Sequence, residues 1–251
     1  MRFAANLGFM YTEWPFQDRF KACAQDGFEW AECLFPYDVS KTQLADLVAE
    51  SGVKLLQINA PAGDWASGDR GLAVDPRRES EFKQSIELAL AYAEALQIKQ
   101  MHVLAGVGAD WVQYRKNLTW LSGQTKGMEI TWLIEPINRR DIPGYLLSYQ
   151  ADAHRLVEEL CLSNVKVQMD LYHCQIMEGD VVNQLRRYLP TGNVGHLQIA
   201  GVPERHEPDL SELYYPRIFE ELRRMGYKGL IGCEYRPFAG TRAGLGWLKS
   251  D

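Results

Sequence analysis

Four apolar segments in the second half of the chain each carry one side chain whose oxygen can bind a metal ion. They are Glu135 in ITWLIEPIN, Asp170 in VKVQMDLYH, Gln198 in VGHLQIAG and Glu234 in LIGCEYRP. A carboxylate at the end of a buried strand is costly unless something pairs with it. Because four such segments follow one another along the chain, we expect the four side chains to converge on a single divalent cation held by oxygen ligands.

The ligand types indicate which cation and which chemistry to expect. Three carboxylates and an amide are hard ligands, which suit Mg²⁺, with Mn²⁺ as the alternative, better than a structural zinc ion. Glu135 and Glu234 can each bind the cation through one oxygen and keep the other as a base. This arrangement favours proton transfer at a carbon next to a carbonyl group, with the two glutamates as the predicted catalytic pair.

Further polar residues follow the same segments. His173 lies three residues after Asp170, and the sequence leaves open whether it contacts a substrate or is a buried structural histidine. Arg205 offers a fork of donors for a substrate carboxylate, although a surface salt bridge within ERHEPD is the alternative. His102 and Asn59, at the ends of two earlier strands, are also predicted to contact substrate, whereas His196 is interpreted as a core residue.

The pattern along the whole chain predicts an α/β fold in which eight strands alternate with helices. The predicted strands cover 2–9, 28–36, 53–61, 100–106, 129–137, 165–173, 194–201 and 229–237. Eight β/α units in about 250 residues are typical of one (β/α)8 TIM barrel, here a single domain over 1–251, with its active site at the C-terminal ends of the strands. A doubly wound sheet is the competitor, but AANLGFM after the first strand lacks the GxGxxG spacing.

Two of the predicted helical segments matter for the comparison with the structure. The unit at 107–128 is short for a barrel repeat, so its helix, predicted at 111–122, is expected to be stunted. A single helix is predicted over 175–189, between the sixth and seventh strands, ended by Pro190 and Gly192.

Composition narrows the class of protein. The net charge of −6 argues against a nucleic-acid-binding surface. No run approaches the length of a membrane span, and the N-terminus lacks the pattern of a signal peptide. Five cysteines without zinc-ribbon spacing indicate reduced, mostly buried thiols in a cytoplasmic protein. We therefore expect a small-molecule substrate, with no nucleic-acid or membrane partner, and leave a homo-oligomer open.

The motifs LIEPIN, QMDLYHCQ, GHLQIAG, GVPERHEPD and IGCEYRP resemble those of the hydroxypyruvate isomerase family. This family is part of a wider group of xylose isomerase-like barrels that includes ketose 3-epimerases and 2-oxo-tetronate isomerases. The resemblance covers the full chain. It implies a (β/α)8 barrel that interconverts hydroxypyruvate and tartronate semialdehyde (2-hydroxy-3-oxopropanoate) through an enediolate, with a Mg²⁺-type ion at Glu135, Asp170, Gln198 and Glu234.

The resemblance also implies roles for individual residues. Glu135 and Glu234 would form the proton donor and acceptor pair, and His173 and Arg205 would hold substrate oxygens as in the epimerase branch. A 2-oxo-tetronate isomerase or a ketose 3-epimerase on the same metal site is the alternative enzyme. A multi-zinc endonuclease would need more histidine and acidic ligands and a basic face, and a barrel that only senses or assembles would need neither glutamate.

Overall fold

Eight parallel strands close into a barrel in chain order. The structure, a computed structural model, describes the backbone of residues 1–250 and the side chains of residues 1–248. The strands are β1 (Arg2–Asn6), β2 (Trp30–Cys33), β3 (Lys54–Asn59), β4 (Gln100–His102), β5 (Thr131–Ile134), β6 (Val165–Asp170), β7 (Val194–Ile199) and β8 (Leu230–Cys233). Each strand pairs with the next, and β8 pairs with β1 to close the barrel. The predicted (β/α)8 barrel is confirmed.

The last strand, β8, is followed by a 3₁₀ helix, and the α-helices that cover the outside of the barrel follow each of the first seven strands, with two after β6. They are α1 (Phe16–Gln25), α2 (Lys41–Ser51), α3 (Glu79–Leu96), α4 (Trp111–Gln124), α5 (Gln150–Leu160), α6 (Leu171–Met177), α7 (Val181–Tyr188) and α8 (Tyr215–Arg224). Short 3₁₀ turns lie at Pro76–Arg78, Leu189–Thr191 and Pro208–Leu210, and a longer one at Arg242–Ser250. No helix of the described chain is long and apolar enough to cross a membrane.

The structure corrects two of the helix predictions. The α4 helix has 14 residues and begins at a cap in which Asp110 accepts from the backbone N–H of Gln113, so it is not stunted. The helix predicted over 175–189 is two helices, because Gly179 and Asp180 both have positive φ and end the hydrogen-bond ladder between α6 and α7.

The strands are shorter than the apolar runs from which they were predicted. Glu135 directly follows the last residue of β5, and Glu234 directly follows the last residue of β8. Asp170 is the last residue of β6, and Gln198 is the penultimate residue of β7. All four therefore lie at one end of the barrel, where the following loops surround them.

All five cysteines are free thiols, and all but Cys161 are buried. The four buried thiols belong to the hydrophobic core, in agreement with the prediction of mostly buried cysteines.

Candidate active site

Glu135, Asp170 and His173 form a buried cluster at the C-terminal end of the barrel. One potential ligand atom from each lies within 4.8 Å of the others. His173 Nε2 is 3.8 Å from Glu135 Oε1 and 3.6 Å from Asp170 Oδ2. Three side chains from two neighbouring β/α units therefore meet at one point.

His173 reaches this cluster because the chain turns into α6 immediately after β6. Asp170 Oδ1 accepts a hydrogen bond of 2.8 Å from the backbone N–H of Tyr172, which is an N-cap contact. The resulting helical turn brings the side chain at i+3 back beside its cap, whereas a continuing strand would direct it away.

The hydrogen bonds of His173 determine its tautomer. The backbone N–H of Asn138 donates to His173 Nδ1 over 3.3 Å, and the side-chain Nδ2 of Asn138 lies 2.6 Å from the same nitrogen. Burial and the nearby Arg205 hold the pKa of His173 well below its usual value, so the ring is neutral. Nε2 then carries the hydrogen and faces the two carboxylates as a donor.

Without a bound cation, the ionised forms of the buried acids in and beside this cluster are electrostatically unfavourable. Burial, followed by the neighbouring Glu234 and Asp170, raises the pKa of Glu135 well above its ordinary value. Burial also raises the pKa of Asp170 to about 6 and that of Glu234 to about 8. Glu135 Oε1 and Asp170 Oδ2 have no hydrogen-bond partner among the described residues. Unpaired carboxylate oxygens, buried side by side, fit a divalent cation.

Glu234 lies next to this cluster and is paired with Arg205. Arg205 Nη2 is 3.4 Å from Glu234 Oε1 and 3.7 Å from Asp170 Oδ2, while Nη1 is 3.2 Å from Asp141 Oδ2. Glu234 is not among the three residues that meet within 4.8 Å. Arg205 thus faces the acids of the site, and not the acids of its own loop, which was the alternative considered from the sequence.

Arg205 is also held by two aromatic rings. Its guanidinium carbon lies 4.5 Å from the ring centre of Phe9 and 4.8 Å from that of Tyr172. Its backbone has a φ of +60°, a conformation that non-glycine residues adopt only where the surroundings impose it. The side chain is buried, so its charge acts on the carboxylates with little solvent screening.

Gln198 belongs to a chain of hydrogen bonds inside the barrel. Gln57 Nε2 donates to Gln168 Oε1 over 2.8 Å, and Gln168 Nε2 donates to Gln198 Oε1 over 2.7 Å. Gln198 Nε2 in turn donates to Glu32 Oε2 over 2.8 Å. The oxygen of Gln198 that was predicted as a metal ligand therefore already accepts one hydrogen bond, which leaves it one lone pair for a cation.

Glu32, at the end of this chain, is a buried carboxylate that the sequence analysis did not select. His196 Nε2 lies 2.6 Å from Glu32 Oε1, so His196 has a charged neighbour as well as core contacts. Gly232 makes room for Glu32, because a Cβ at this position would lie 2.5 Å from Glu32 Oε1. Glu32 lies near the end of the second strand, and nothing in the sequence distinguished it there from other acidic residues at strand ends.

A cavity of about 370 Å³ opens above the cluster. His102 and Asn59, for which the sequence predicts substrate contacts, line this cavity, and His102 Nε2 is 3.6 Å from Glu135 Oε2. Burial lowers the pKa of His102 to about 3, so this ring is neutral. The cavity also contains two residues missed from the sequence, Asp141 and Arg70. Both lie in loops that follow strands, which was the only signal available for them.

Comparisons with known proteins agree with this architecture. The family model of the xylose isomerase-like TIM barrels matches residues 20–251. A 2-oxo-tetronate isomerase of Cupriavidus necator is 49% identical over 99% of this chain and 97% of that protein. A hydroxypyruvate isomerase of Escherichia coli is 38% identical over 99% of this chain and 98% of that protein.

Among solved structures, a Brucella melitensis protein described as an AP endonuclease of family 2 superposes with a TM-score of 0.95. It is 40% identical over 99% of this chain and 98% of its own. The chain therefore belongs to the xylose isomerase-like TIM barrels, in the branch that contains the curated hydroxypyruvate isomerases and 2-oxo-tetronate isomerases.

Proposed function

We propose that this protein is a divalent-cation-dependent isomerase that exchanges the carbonyl and hydroxyl groups at C2 and C3 of a small hydroxy-oxo acid. The observation that carries the proposal is the buried cluster of Glu135, Asp170 and His173. In this cluster Glu135 and Asp170 each have an unpaired oxygen, and Glu135 and His173 line a cavity. Buried carboxylates cluster in this way where they are partnered or catalytic.

Glu135 and Asp170 would hold the cation through their unpaired oxygens, with Gln198 and Glu234 as the two remaining proposed ligands. When bound, Mg²⁺ or Mn²⁺ would polarise the substrate carbonyl and stabilise the negative charge that develops on its oxygen. His173 would donate its Nε2 hydrogen to a substrate oxygen, because its tautomer directs that hydrogen into the site.

Glu135 and Glu234 would move the proton. One carboxylate removes the hydrogen from C3, and the electron pair of that bond forms the C2=C3 double bond of an enediolate. The other glutamate, in its protonated form, delivers a proton to C2, while the hydroxyl proton passes from the oxygen on C3 to the oxygen on C2. Proton exchange with solvent then restores both glutamates. The product is an isomer of the substrate, with no net gain or loss of atoms, so no oxidant or co-substrate is needed.

Two substrates fit this reaction and differ by one hydroxymethyl group on C3. 2-Oxo-tetronate is the first candidate, because the relative that bears this name is 49% identical to the chain. Hydroxypyruvate, which the sequence predicted, is the second, because the E. coli enzyme of that name is 38% identical over the same span. Neither substrate carries a long chain, which suits a cavity of about 370 Å³.

Exchange of carbon-bound hydrogen with solvent deuterium tests the proposal. The protein, loaded with Mg²⁺ or Mn²⁺, is incubated in D₂O with 2-oxo-tetronate, hydroxypyruvate or a neutral ketohexose, and deuterium at carbon is followed by NMR. We expect incorporation with at least one of the two acids, and its loss after treatment with EDTA. Absence of exchange with both acids would overturn the proposal, and exchange with the ketohexose alone would indicate a sugar epimerase.

A further inference from the structure

Arg70 is one of three arginines that line the cavity, with Arg205 and Arg236. It lies in the loop after β3, and its side chain lines the same cavity as Glu135 and Glu234. Arg205, in contrast, faces three carboxylates at 3.2 to 3.7 Å. Among the described residues, no acidic side chain forms a salt bridge with Arg70.

The guanidinium of Arg70 is fixed in place by two different contacts. Its carbon lies 4.0 Å from the ring centre of Trp65, which is a close cation–π contact. Its Nη1 donates to the backbone carbonyls of Trp65, at 3.0 Å, and Asp69, at 2.6 Å. Since Nη1 takes both of these bonds, Nε and Nη2 remain as donors, and they form one edge of the guanidinium fork.

Hydrogen bonds and close backbone packing hold the loop on both sides of Arg70. Asp69, its chain neighbour, is bound by both nitrogens of the Arg78 fork at 2.7 Å each, and its Oδ2 accepts from the backbone N–H of Asp64. Gly71, on the other side, packs so closely on the segment after β4 that a Cβ would lie 2.6 Å from the carbonyl oxygen of Leu104. Arg70 is thus presented to the cavity with little freedom left to lose on binding a ligand.

We propose that Arg70 binds the carboxylate of the substrate and so sets the preference for acids over neutral sugars. This inference rests on the proposed function, which supplies an anionic substrate. A planar fork with two free donors matches a carboxylate in a bidentate contact. Arg236 is the rival anchor, because it lines the same cavity and its guanidinium carbon lies 4.9 Å from the ring centre of Phe9. It is exposed, however, and its guanidinium donates to no backbone carbonyl among the described residues.

Binding of an unreactive acid tests Arg70 independently of turnover. Glycerate carries the carboxylate, and glycerol replaces it with a hydroxymethyl group. Affinities of both for the Mn²⁺-loaded wild type, Arg70→Met, Arg70→Lys and Arg236→Met are measured by calorimetry. Arg77→Met serves as a background control, because that side chain is 87% exposed and paired with Asp75.

We expect Arg70→Met to weaken glycerate binding by about 10- to 100-fold, the usual loss for a charge-assisted contact. Glycerol binding and Mn²⁺ affinity should stay the same, and Arg70→Lys should recover part of the loss. With a substrate that turns over, KM should rise by a similar factor while kcat changes little. Unchanged glycerate affinity in Arg70→Met, a larger loss in Arg236→Met, or no glycerate binding by the wild type would overturn the inference. If glycerate binding depends on Arg70 but no acid exchanges hydrogen for deuterium, the proposed function is refuted, whereas the role of Arg70 in binding a carboxylate stands.

Discussion

Gln198 donates a hydrogen bond from its side-chain Nε2 to Glu32 Oε2 over 2.8 Å, and this contact sets the direction of the Gln198 amide. A carboxylate only accepts hydrogen bonds, so the nitrogen of Gln198 must face Glu32 and its oxygen must face the other way. The amide oxygen is the atom that a divalent cation requires. Glu32 is thus a positioning residue for a proposed ligand that it reaches from across the barrel.

Glu32→Gln should weaken the binding of Mn²⁺ by about tenfold, because an amide at this position can donate as well as accept and no longer fixes Gln198. The measurement is calorimetric titration of the metal-free protein, with its melting temperature as a check on folding. Glu29→Gln is the matched control, as Glu29 lies near the same strand and is exposed. Equal Mn²⁺ affinity in wild type and Glu32→Gln would show that Glu32 has no such role.

Glu135→Gln and Glu234→Gln should both reduce kcat by about 10²- to 10⁴-fold, the usual range for loss of an acid–base group. They should differ in cation binding. Glu135 lies in the cluster with Asp170, whereas Glu234 lies beside Arg205, so Glu135→Gln should lose more affinity for Mn²⁺. Deuterium exchange and calorimetry on the same preparations separate the two effects. Full turnover in either variant would remove that residue from the proton-transfer pair.

Asp170→Asn should abolish the stabilisation by a divalent cation while keeping the fold. Its Oδ1 caps α6 through Tyr172, and asparagine retains an oxygen for that bond. The unpaired Oδ2, which would hold the cation, becomes an NH₂ group. We expect melting of the wild type to shift upward with Mn²⁺ and that of Asp170→Asn to stay constant. Cys161→Ser, at an exposed thiol, should respond like the wild type, and a preserved shift in Asp170→Asn would contradict the proposed ligand set.

Acidification should destabilise the protein partly through His154. This buried ring stacks on Tyr188, with ring centres 3.8 Å apart, and neither ring nitrogen has a hydrogen-bond partner among the described residues. Burial lowers the pKa of His154 to about 4, below the value of 6.5 in an unfolded chain. The unfolded state therefore binds the proton first as the pH falls, and stability is lost below pH 6.5 until the pH reaches 4.

On lowering the pH from 8 to 5, the His154 ring alone should reduce the free energy of unfolding by about 2 kcal/mol. Urea unfolding at the two pH values, for the wild type and for His154→Phe, measures its share, since phenylalanine keeps the stacked ring and cannot be protonated. The variant should lose less stability on acidification by about that amount. The same pH dependence in both proteins would exclude His154 as a source of acid sensitivity.

Much of the barrel was predictable because each apolar run is followed by a segment with helical spacing. The strand ends were placed too far along the chain, because residues such as Tyr235 are buried beyond the end of β8 without pairing in the sheet. The prediction of a single helix over 175–189 was wrong because Gly179 and Asp180 both adopt positive φ, which interrupts the helix. Apolar periodicity indicates which residues are buried, but it does not indicate where the backbone hydrogen bonds of a strand or helix end.

For the site, the strand-end rule was sufficient to place Glu135 and Asp170 at one end of the barrel. The direction of His173 could not be read in the same way, because it depends on a helix that begins one residue after Asp170. The contact of Gln198 with Glu32 joins positions 166 residues apart in the chain. Which interior side chains meet across a barrel depends on strand register, which no local pattern specifies.

Gly232 in β8 couples the residue type at its own position to the residue type at position 32 in β2. A methyl group there would overlap the carboxylate of Glu32, and β8 and β2 have no room to separate because both are paired within the closed barrel. A relative that carries alanine or a larger residue at this point should therefore carry a shorter side chain opposite it. The missing side chain of Gly232 in β8 thus leaves room for Glu32 in β2. Glu32 in turn sets the orientation of the Gln198 amide in β7.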